Sequence, residues 1–424
     1  PAETLARHAW RQGGTLDLFA DVARSADAIG AFAGADEARA YLAFCARSRD
    51  IYRTLAAPFI AAERPSPLDL MARVGLRRMP DMWRTMPMRT LWSAVGDDFR
   101  DPRLRQLFGR YATYVGASPW LAPATLMLIA HVEQDGVWLV RGGIHQVARA
   151  IQHLAERQGA RFRFGADMQQ ILIEHGRVAG VLLANGERLA ADAVVFNGDI
   201  SALTDQLRPV PATAPEARSL SAVTWCLAAH TSGFDLAHHN VFFAEDYRRE
   251  FDAIFRQRSI TEAPTVYLCA QDRGEAGTYQ TGAPERLLAL INAPADGDRA
   301  PLGEDAIADL SARAFGLMQS CGLNIAASGD PVVTTPSGFN ALFPATGGAL
   351  YGRVNHGMMG SFARAGARGK VPGLYLAGGS VHPGPGIPMA TMSGRIAAAR
   401  LLADLAGGAG RRRAIQLPVD SLVR

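Results

Sequence analysis

Long apolar runs are missing from this sequence. Crossing a bilayer as a helix takes about 18 or more apolar residues, and the longest candidate, Leu121 to Val132, is short and carries Pro123 and His131. A secretory leader is missing as well, because Arg7, His8, Arg11 and Asp17 break up the first residues. The chain starts at Pro1, which reads as a processed form or a piece of a longer chain. Cysteine is scarce: Cys45, Cys226, Cys269 and Cys321 stand far apart with no CxxC spacing. That spacing argues against a disulfide framework or a thiolate metal centre, fits a reducing compartment and predicts buried neutral thiols, so no metal is expected. Neither sign of charge dominates. Lys+Arg total 44 against 40 Asp+Glu, a net charge of +4, and the longest basic run is Arg411 to Arg413. Without zinc spacing or a helix-turn-helix pattern, no nucleic-acid partner is expected. A mildly basic surface does favour anionic lipid headgroups.

What is present is the composition of a folded globular protein, with 48% hydrophobic and 20% charged residues. At 424 residues the chain exceeds a single core of roughly 250–300 residues, so two domains are expected. Residues 1–135 read as mostly helical after a short edge strand, Thr15 to Phe19. Asp36 is placed to cap a helix running to about Ala57, where Pro58 ends it. Ser66-Pro67 and Asp101-Pro102 each open another helix. Gly142-Gly143 precedes a helix from Ile144 to Gln158. Four strands then follow: Arg161–Phe164, Met168–Glu174, Val178–Leu183 and Ala191–Phe196, with His175-Gly176 and Asn185-Gly186 as turns. Further on, strands are expected at Thr224–His230, Thr265–Ala270 and Arg286–Ile291, with a helix at Asp305–Met318. The tail from Gly407, rich in Gly and Arg, is expected to be poorly ordered.

One segment carries more chemical information than the rest. Leu374–Ala377 reads as a buried strand, and Gly378-Gly379 ends it where a backbone can approach a ligand closely. His382-Pro383-Gly384-Pro385-Gly386 is a stiff loop with little side chain at its centre, and Ile387-Pro388-Met389 leads into a helix to Leu405. Strand, glycine turn and helix N-terminus together offer free N–H groups to a phosphate or an electron-rich ring edge.

This segment resembles the C-terminal flavin-binding signature of the carotenoid (phytoene) desaturase family of FAD-dependent oxidoreductases. Asp135-Gly-Val-Trp-Leu-Val-Arg-Gly-Gly143, Gly176-Arg-Val-Ala-Gly-Val181 and Ala191-Asp-Ala-Val-Val-Phe-Asn-Gly-Asp199 are similar to other stretches of that family. Ala345-Thr-Gly-Gly-Ala-Leu-Tyr-Gly352 and Ser380 to Met389 are most similar to the branch that desaturates 1-hydroxy- and 1-methoxy-carotenoids at C3–C4. The resemblance implies an α/β fold with an α+β substrate domain: an incomplete Rossmann-like FAD-binding domain (136–200 and 336–406) interleaved with a sheet-plus-helix substrate domain (1–135 and 201–335). It also implies that Gly378, Gly379, Gly386, Ile387, Pro388 and Met389 line the flavin of FAD and that Met168 lies against adenine. Family members begin with a G-x-G-x-x-G turn that holds the pyrophosphate. None is found near the start here, where Gly13-Gly14 lacks the third glycine. A chain without that turn is expected to hold FAD weakly.

The implied reaction removes two hydrogens from adjacent carbons of a long carotenoid, and the cofactor does the difficult redox step. Such chemistry calls for an apolar tunnel. Trp83, Met86, Met88, Trp92, Trp120, Met127, Phe242 and Phe243 are lining candidates, although scattered Met and aromatics are more often plain core. Asp69 and Arg73 lie four apart on one helix and are similar to the family's acid-base pair, with one residue more between them; an exposed ion pair is the competing reading. His382 could polarise the flavin or merely cap its turn. A carotenoid substrate implies peripheral contact with a cytoplasmic membrane surface, sought at residues 80–130, where apolar side chains alternate with Arg84, Arg89, Arg100, Arg103, Arg105 and Arg110. The rival readings are a desaturase of other regiospecificity, an amine oxidase-like enzyme and a non-catalytic remnant. No cysteine for covalent flavin attachment lies in 373–395.

Overall fold

The computed structural model describes residues 1–203, 213–274 and 282–406; the tail from Gly407 lies outside the described residues. An eight-stranded mixed sheet forms the larger of two centres. Its order is Asn324–Ala327, Ser221–Ser232, Glu285–Ala293, Val266–Ala270, His239–Phe243, Thr4–Trp10 and Thr15–Phe19, with Val332–Thr334 also paired to Ser221–Ser232. All these pairings are antiparallel except Thr4–Trp10 on His239–Phe243, which is parallel.

Alternation along the central strands divides the core in two. Leu287, Ala289 and Ile291 point to one face, where they join Val223, Trp225, Leu268 and the helix Glu304–Ser320 through Leu310, Ala314 and Met318. On the other face Val241, Phe243 and Tyr267 meet a layer of helices built around Phe44, Phe99 and Phe108. A one-residue slip would exchange these faces, so the register is fixed by burial on both sides.

The second centre is small. Leu374–Leu376 pairs in parallel with Val194–Phe196, and beside it Met168–Glu174, Arg177–Leu183 and Arg188–Ala190 form an antiparallel sheet. The helix His145–Arg157 carries Ile144, Val147, Ile151 and Leu154 along one stripe, and that stripe is exposed.

Several expectations need correction. Arg161–Phe164 is no strand: it has no pairing partner among the described residues, and Phe164 is 78% exposed. Ala191–Phe196 shortens to Val194–Phe196, because the residues before it lead out of the Arg188–Ala190 hairpin strand. The second long helix begins at Ala35 behind Gly34, so Asp36 lies in its first turn and pairs with Arg39 instead of capping. Pro58 does not stop the chain; it sits within a π-helical turn, Ala56–Ile60. The four cysteines are free, but only Cys45 is buried and Cys226 is exposed.

A buried ion pair braces the large sheet. Glu285 is 1% exposed and receives two hydrogen bonds from Arg273, at 2.8 and 2.9 Å. Arg273→Met leaves that carboxylate buried without its cation, so we expect a loss of about 3–5 kcal/mol. Urea unfolding of the purified variant checks this, and an unchanged midpoint would show that the pair carries no stability.

Candidate functional site

The strand Leu374–Leu376 delivers the chain to a tight glycine turn. Ala377 still donates to Phe196 O at 3.0 Å, and the N–H of Gly378 then turns to Ser393 Oγ at 2.8 Å. That bond staples the strand end to the helix Ile387–Ala406. Gly378 has φ 110°, and a Cβ built there would come within 3.1 Å of Asn197 Oδ1. Both facts require glycine.

Two buried side chains shape the loop that follows. Arg364 is 2% exposed and donates to three carbonyls, Tyr351 O (2.9 Å), Gly379 O (3.1 Å) and Arg353 O (2.9 Å). Its Nε has no partner, and no carboxylate lies within ion-pair distance among the described residues. Burial lowers its pKa to about 10, against a smaller opposing pull from Asp199. His382 is also buried. Its Nε2–H donates to Phe59 O at 2.9 Å and Ala62 O at 3.2 Å, which leaves Nδ1 with its lone pair and no partner. Burial pushes this imidazole down to about 4, so it is neutral at pH 7.

Beyond the loop, Gly386, Ile387 and Pro388 are exposed and Met389 is half-buried. An open helix start therefore stands beside a glycine edge and two buried groups that each keep one unpartnered nitrogen. This donor and acceptor set fits the polar edge of a flavin. Asn197 and Asp199, at the end of the paired strand, border the same turn through Gly378 and Gly352.

An apolar cavity of about 260 Å³ opens next to the loop, lined by Leu55, Phe59, Leu70, Met82, Met358 and Phe362 among others. Phe59 belongs to both places: it lines the cavity and meets the His382 ring edge-on at 5.0 Å. Around the mouth stand the exposed Leu68, Met71, Trp83 and Met88.

The predicted residues fall into separate groups. Gly378, Gly379, His382, Gly386, Ile387, Pro388 and Met389 lie on this one strand-loop-helix. Met168 packs against the small sheet with Val194 and Phe196. Asp69 is committed to its own helix: its carboxylate accepts from Ser66 Oγ at 2.7 Å and Ser66 N at 3.0 Å, in a capping box with Ser66. Those bonds, with a smaller pull from Arg73, lower its pKa. Arg73 does not pair with Asp69; it reaches back to the carbonyls of Pro58 and Glu63, at 3.4 Å each. Of the lining candidates, Trp83 lines the cavity and Met86 and Met88 do not, whereas Met127, Phe242 and Phe243 are fully buried core and Trp92 stacks on Trp120 at 4.3 Å. Sequence reasoning missed Arg364, one arginine in a chain rich in them.

Comparison with known proteins follows the same lines. Residues 93–402 match the family model described as flavin containing amine oxidoreductase. The hydroxyneurosporene desaturase of Rubrivivax gelatinosus is 53% identical over 423 residues, covering 98% of this chain and 80% of that protein. The 1-hydroxycarotenoid 3,4-desaturase of a Flavobacterium species is 33% identical over 71% of this chain and 62% of its own length. A redesigned putrescine oxidase shares the fold, with a TM-score of 0.52 at 13% identity over 96% of this chain and 81% of that structure.

Two expectations follow from the site. Gly378→Ala should weaken flavin binding, because the methyl group must displace Asn197 and the backbone holds a left-handed φ. A fluorescence titration with FAD checks it, and equal affinity in the variant would show that the turn does not need glycine. The second concerns pH. His8, His239, His356 and His382 are each lowered to about 4 by burial, below the ordinary ~6.5. The neutral forms stabilise the fold fully above pH ~6.5, and that stability is lost as pH falls toward 4, by up to about 3 kcal/mol per histidine. Urea midpoints at pH 7 and pH 4.5 should differ accordingly, and His382→Asn should reduce the difference.

Proposed function

This chain belongs to the flavin-containing amine oxidoreductase family, in its carotenoid desaturase branch, and from that premise we propose that it introduces the C3–C4 double bond into a 1-hydroxy- or 1-methoxy-carotenoid. The observation that carries the reading is the apolar cavity set against the glycine loop, with Phe59 common to both. FAD, when bound, supplies the acceptor for the electrons that leave the substrate. Residues 136–200 and 336–406 form the flavin-binding unit in this reading, and 1–135 with 201–335 form the substrate unit.

The chain's own residues then have separable tasks. Gly378, Gly379 and Gly386 let backbone reach the ring, and Ile387, Pro388 and Met389 line it at the helix start. Ser393, Arg364 and His382 hold the loop in the shape that makes this contact. The cavity walls orient a rigid polyene and exclude water, which a polar pocket could not do. His382 Nδ1 keeps an unpartnered lone pair on the loop itself, and burial holds the imidazole neutral. Asp69 and Arg73 flank the cavity mouth on the helix Pro67–Val74, where Leu70 and Met71 line the wall.

Substrate delivery supports a peripheral place at the cytoplasmic surface of a membrane. No helix among the described residues is long and apolar enough to cross one. The mouth instead presents Trp83 (68% exposed) and Met88 (71% exposed) with Leu68 and Met71, next to the exposed Arg73, Arg77, Arg78 and Arg84. Apolar anchors rimmed by cations suit an anionic lipid surface. Arg78 and Arg84 share Asp81 as an exposed ion-pair partner, and elsewhere in the 80–130 stretch Arg89 pairs with Asp97, Arg103 with Asp101 and Arg105 donates to Phe99 O.

Incubation of the chain with FAD and a 1-hydroxy-carotenoid tests the reaction. Each new conjugated double bond moves the polyene absorption to longer wavelength, so a red shift is expected, and an unchanged spectrum with bound flavin would reject the assignment. Flotation with anionic liposomes tests the membrane contact. Trp83→Ala with Met88→Ala should move protein from the lipid to the soluble fraction; a wild-type chain that never floats would contradict it.

A further inference from the structure

The 3-10 turn Arg110–Val115 sets Arg110 beside Tyr267 of the large sheet. Its guanidinium carbon lies 5.5 Å from the ring centre of Tyr267 and 5.9 Å from that of Tyr114. The side chains of Tyr114, Tyr247, Tyr267 and Tyr351 all reach it electrostatically. Among the described residues it has no carboxylate within ion-pair distance and no hydrogen-bond acceptor. The carboxylates that feel its charge are engaged elsewhere. Glu133 accepts from Tyr111 at 2.9 Å and Tyr114 at 2.7 Å. Glu250 accepts from Thr265 N at 3.1 Å and Asn292 Nδ2 at 2.8 Å. The guanidinium is half-buried with its nitrogens still open to solvent, so its five N–H donors stand ready for an incoming acceptor. Tyr114 keeps 42% of its surface accessible, so solvent reaches the cluster.

The cluster adjoins the flavin loop through Tyr351. Arg364 Nη1 donates to both Tyr351 O and Gly379 O. A Cβ on Gly352 would come within 2.7 Å of Ser380 Cβ, so Tyr351 stands directly against the glycine turn. The apolar cavity meets the same loop through Phe59 and His382.

Chemistry then restricts where an oxygenated end can go. In a C3–C4 desaturation the oxygen is carried on C1, two carbons from the reacting pair. Polar recognition of that oxygen therefore has to stand beside the flavin loop and not at the far end of a tunnel. We infer that Arg110, with Tyr267 and Tyr351, forms the subsite for the oxygen-bearing end of the carotenoid, which rests on the desaturase reading above. Arg110 can only donate, and a hydroxyl or an ether oxygen can accept. A hydrocarbon end would seal the guanidinium away from water with nothing to accept its hydrogen bonds, and the site would reject it.

The test measures binding, not turnover. The 424-residue chain with FAD is titrated in detergent with a 1-hydroxy-carotenoid and with the same polyene lacking oxygen, following tryptophan quenching by the polyene. The hydroxylated ligand should bind roughly 10- to 100-fold more tightly, the span of a hydrogen bond to a charged group. Arg110→Met should erase that preference while hydrocarbon binding holds or improves, and Tyr351→Phe should reduce it. Preference retained in Arg110→Met overturns the inference. If that variant does not fold, an unchanged preference in Tyr351→Phe together with Tyr267→Phe does the same. Equal binding of both polyenes by the unaltered chain overturns the subsite alone, whereas binding of neither overturns the desaturase reading with it.

Discussion

A cation buried without a counter-charge holds the candidate site together. Arg364 spends three hydrogen bonds on carbonyls from two chain segments, Tyr351 and Arg353 on one side and Gly379 on the other. The first segment is also held to Ala217–Leu220 by backbone bonds and the second to Ser393, and Arg364 ties the two to each other. Desolvating a guanidinium is unfavourable unless its donors are satisfied, so the carbonyls and the cation must keep their mutual geometry. The glycine turn, the loop to Gly386 and the helix start inherit their positions from that arrangement. His382 does the same for the other flank, tying the loop to Phe59 and Ala62.

These two clamps set the division of labour around the loop. On the His382 side the chain presents an apolar cavity whose mouth is ringed by Leu68, Met71, Trp83 and Met88. On the Arg364 side it presents tyrosines around Arg110. An amphiphilic ligand that is a long hydrocarbon with one oxygenated end matches both sides at once. The large sheet supplies one wall for this, since its alternation sends Val241, Phe243 and Tyr267 toward the helical layer and leaves Phe242 and Leu268 to the opposite core.

Much of the site could be read from the sequence where local rules suffice. The Gly378-Gly379 turn, the Pro-Gly loop and the following helix are specified by residues within a short window, and the Ser66-Pro67 helix start needed only its own cap. The strands Thr4–Trp10 and His239–Phe243 were not foreseen, because neither alternates cleanly and one of the two partners of each lies more than two hundred residues away. Phe162 and Phe164 misled in the opposite direction, since β-prone residues form a strand only when a neighbouring edge is available. The pairing of Asp69 with Arg73 illustrates a third failure. Spacing put both on one face, but local donors, the N–H and hydroxyl of Ser66, outcompeted the ion pair. Arg110 and Arg364 stand out only in three dimensions, where the absence of a carboxylate becomes visible.

Hydrogen exchange of this chain, read by mass spectrometry with and without FAD, tests the central claim most directly. The account predicts new protection confined to residues 378–389 and to the facing turn at Asn197–Asp199, with little change in the large sheet. Exchange in 378–389 that is unaltered by saturating FAD, or protection appearing only elsewhere, would contradict it.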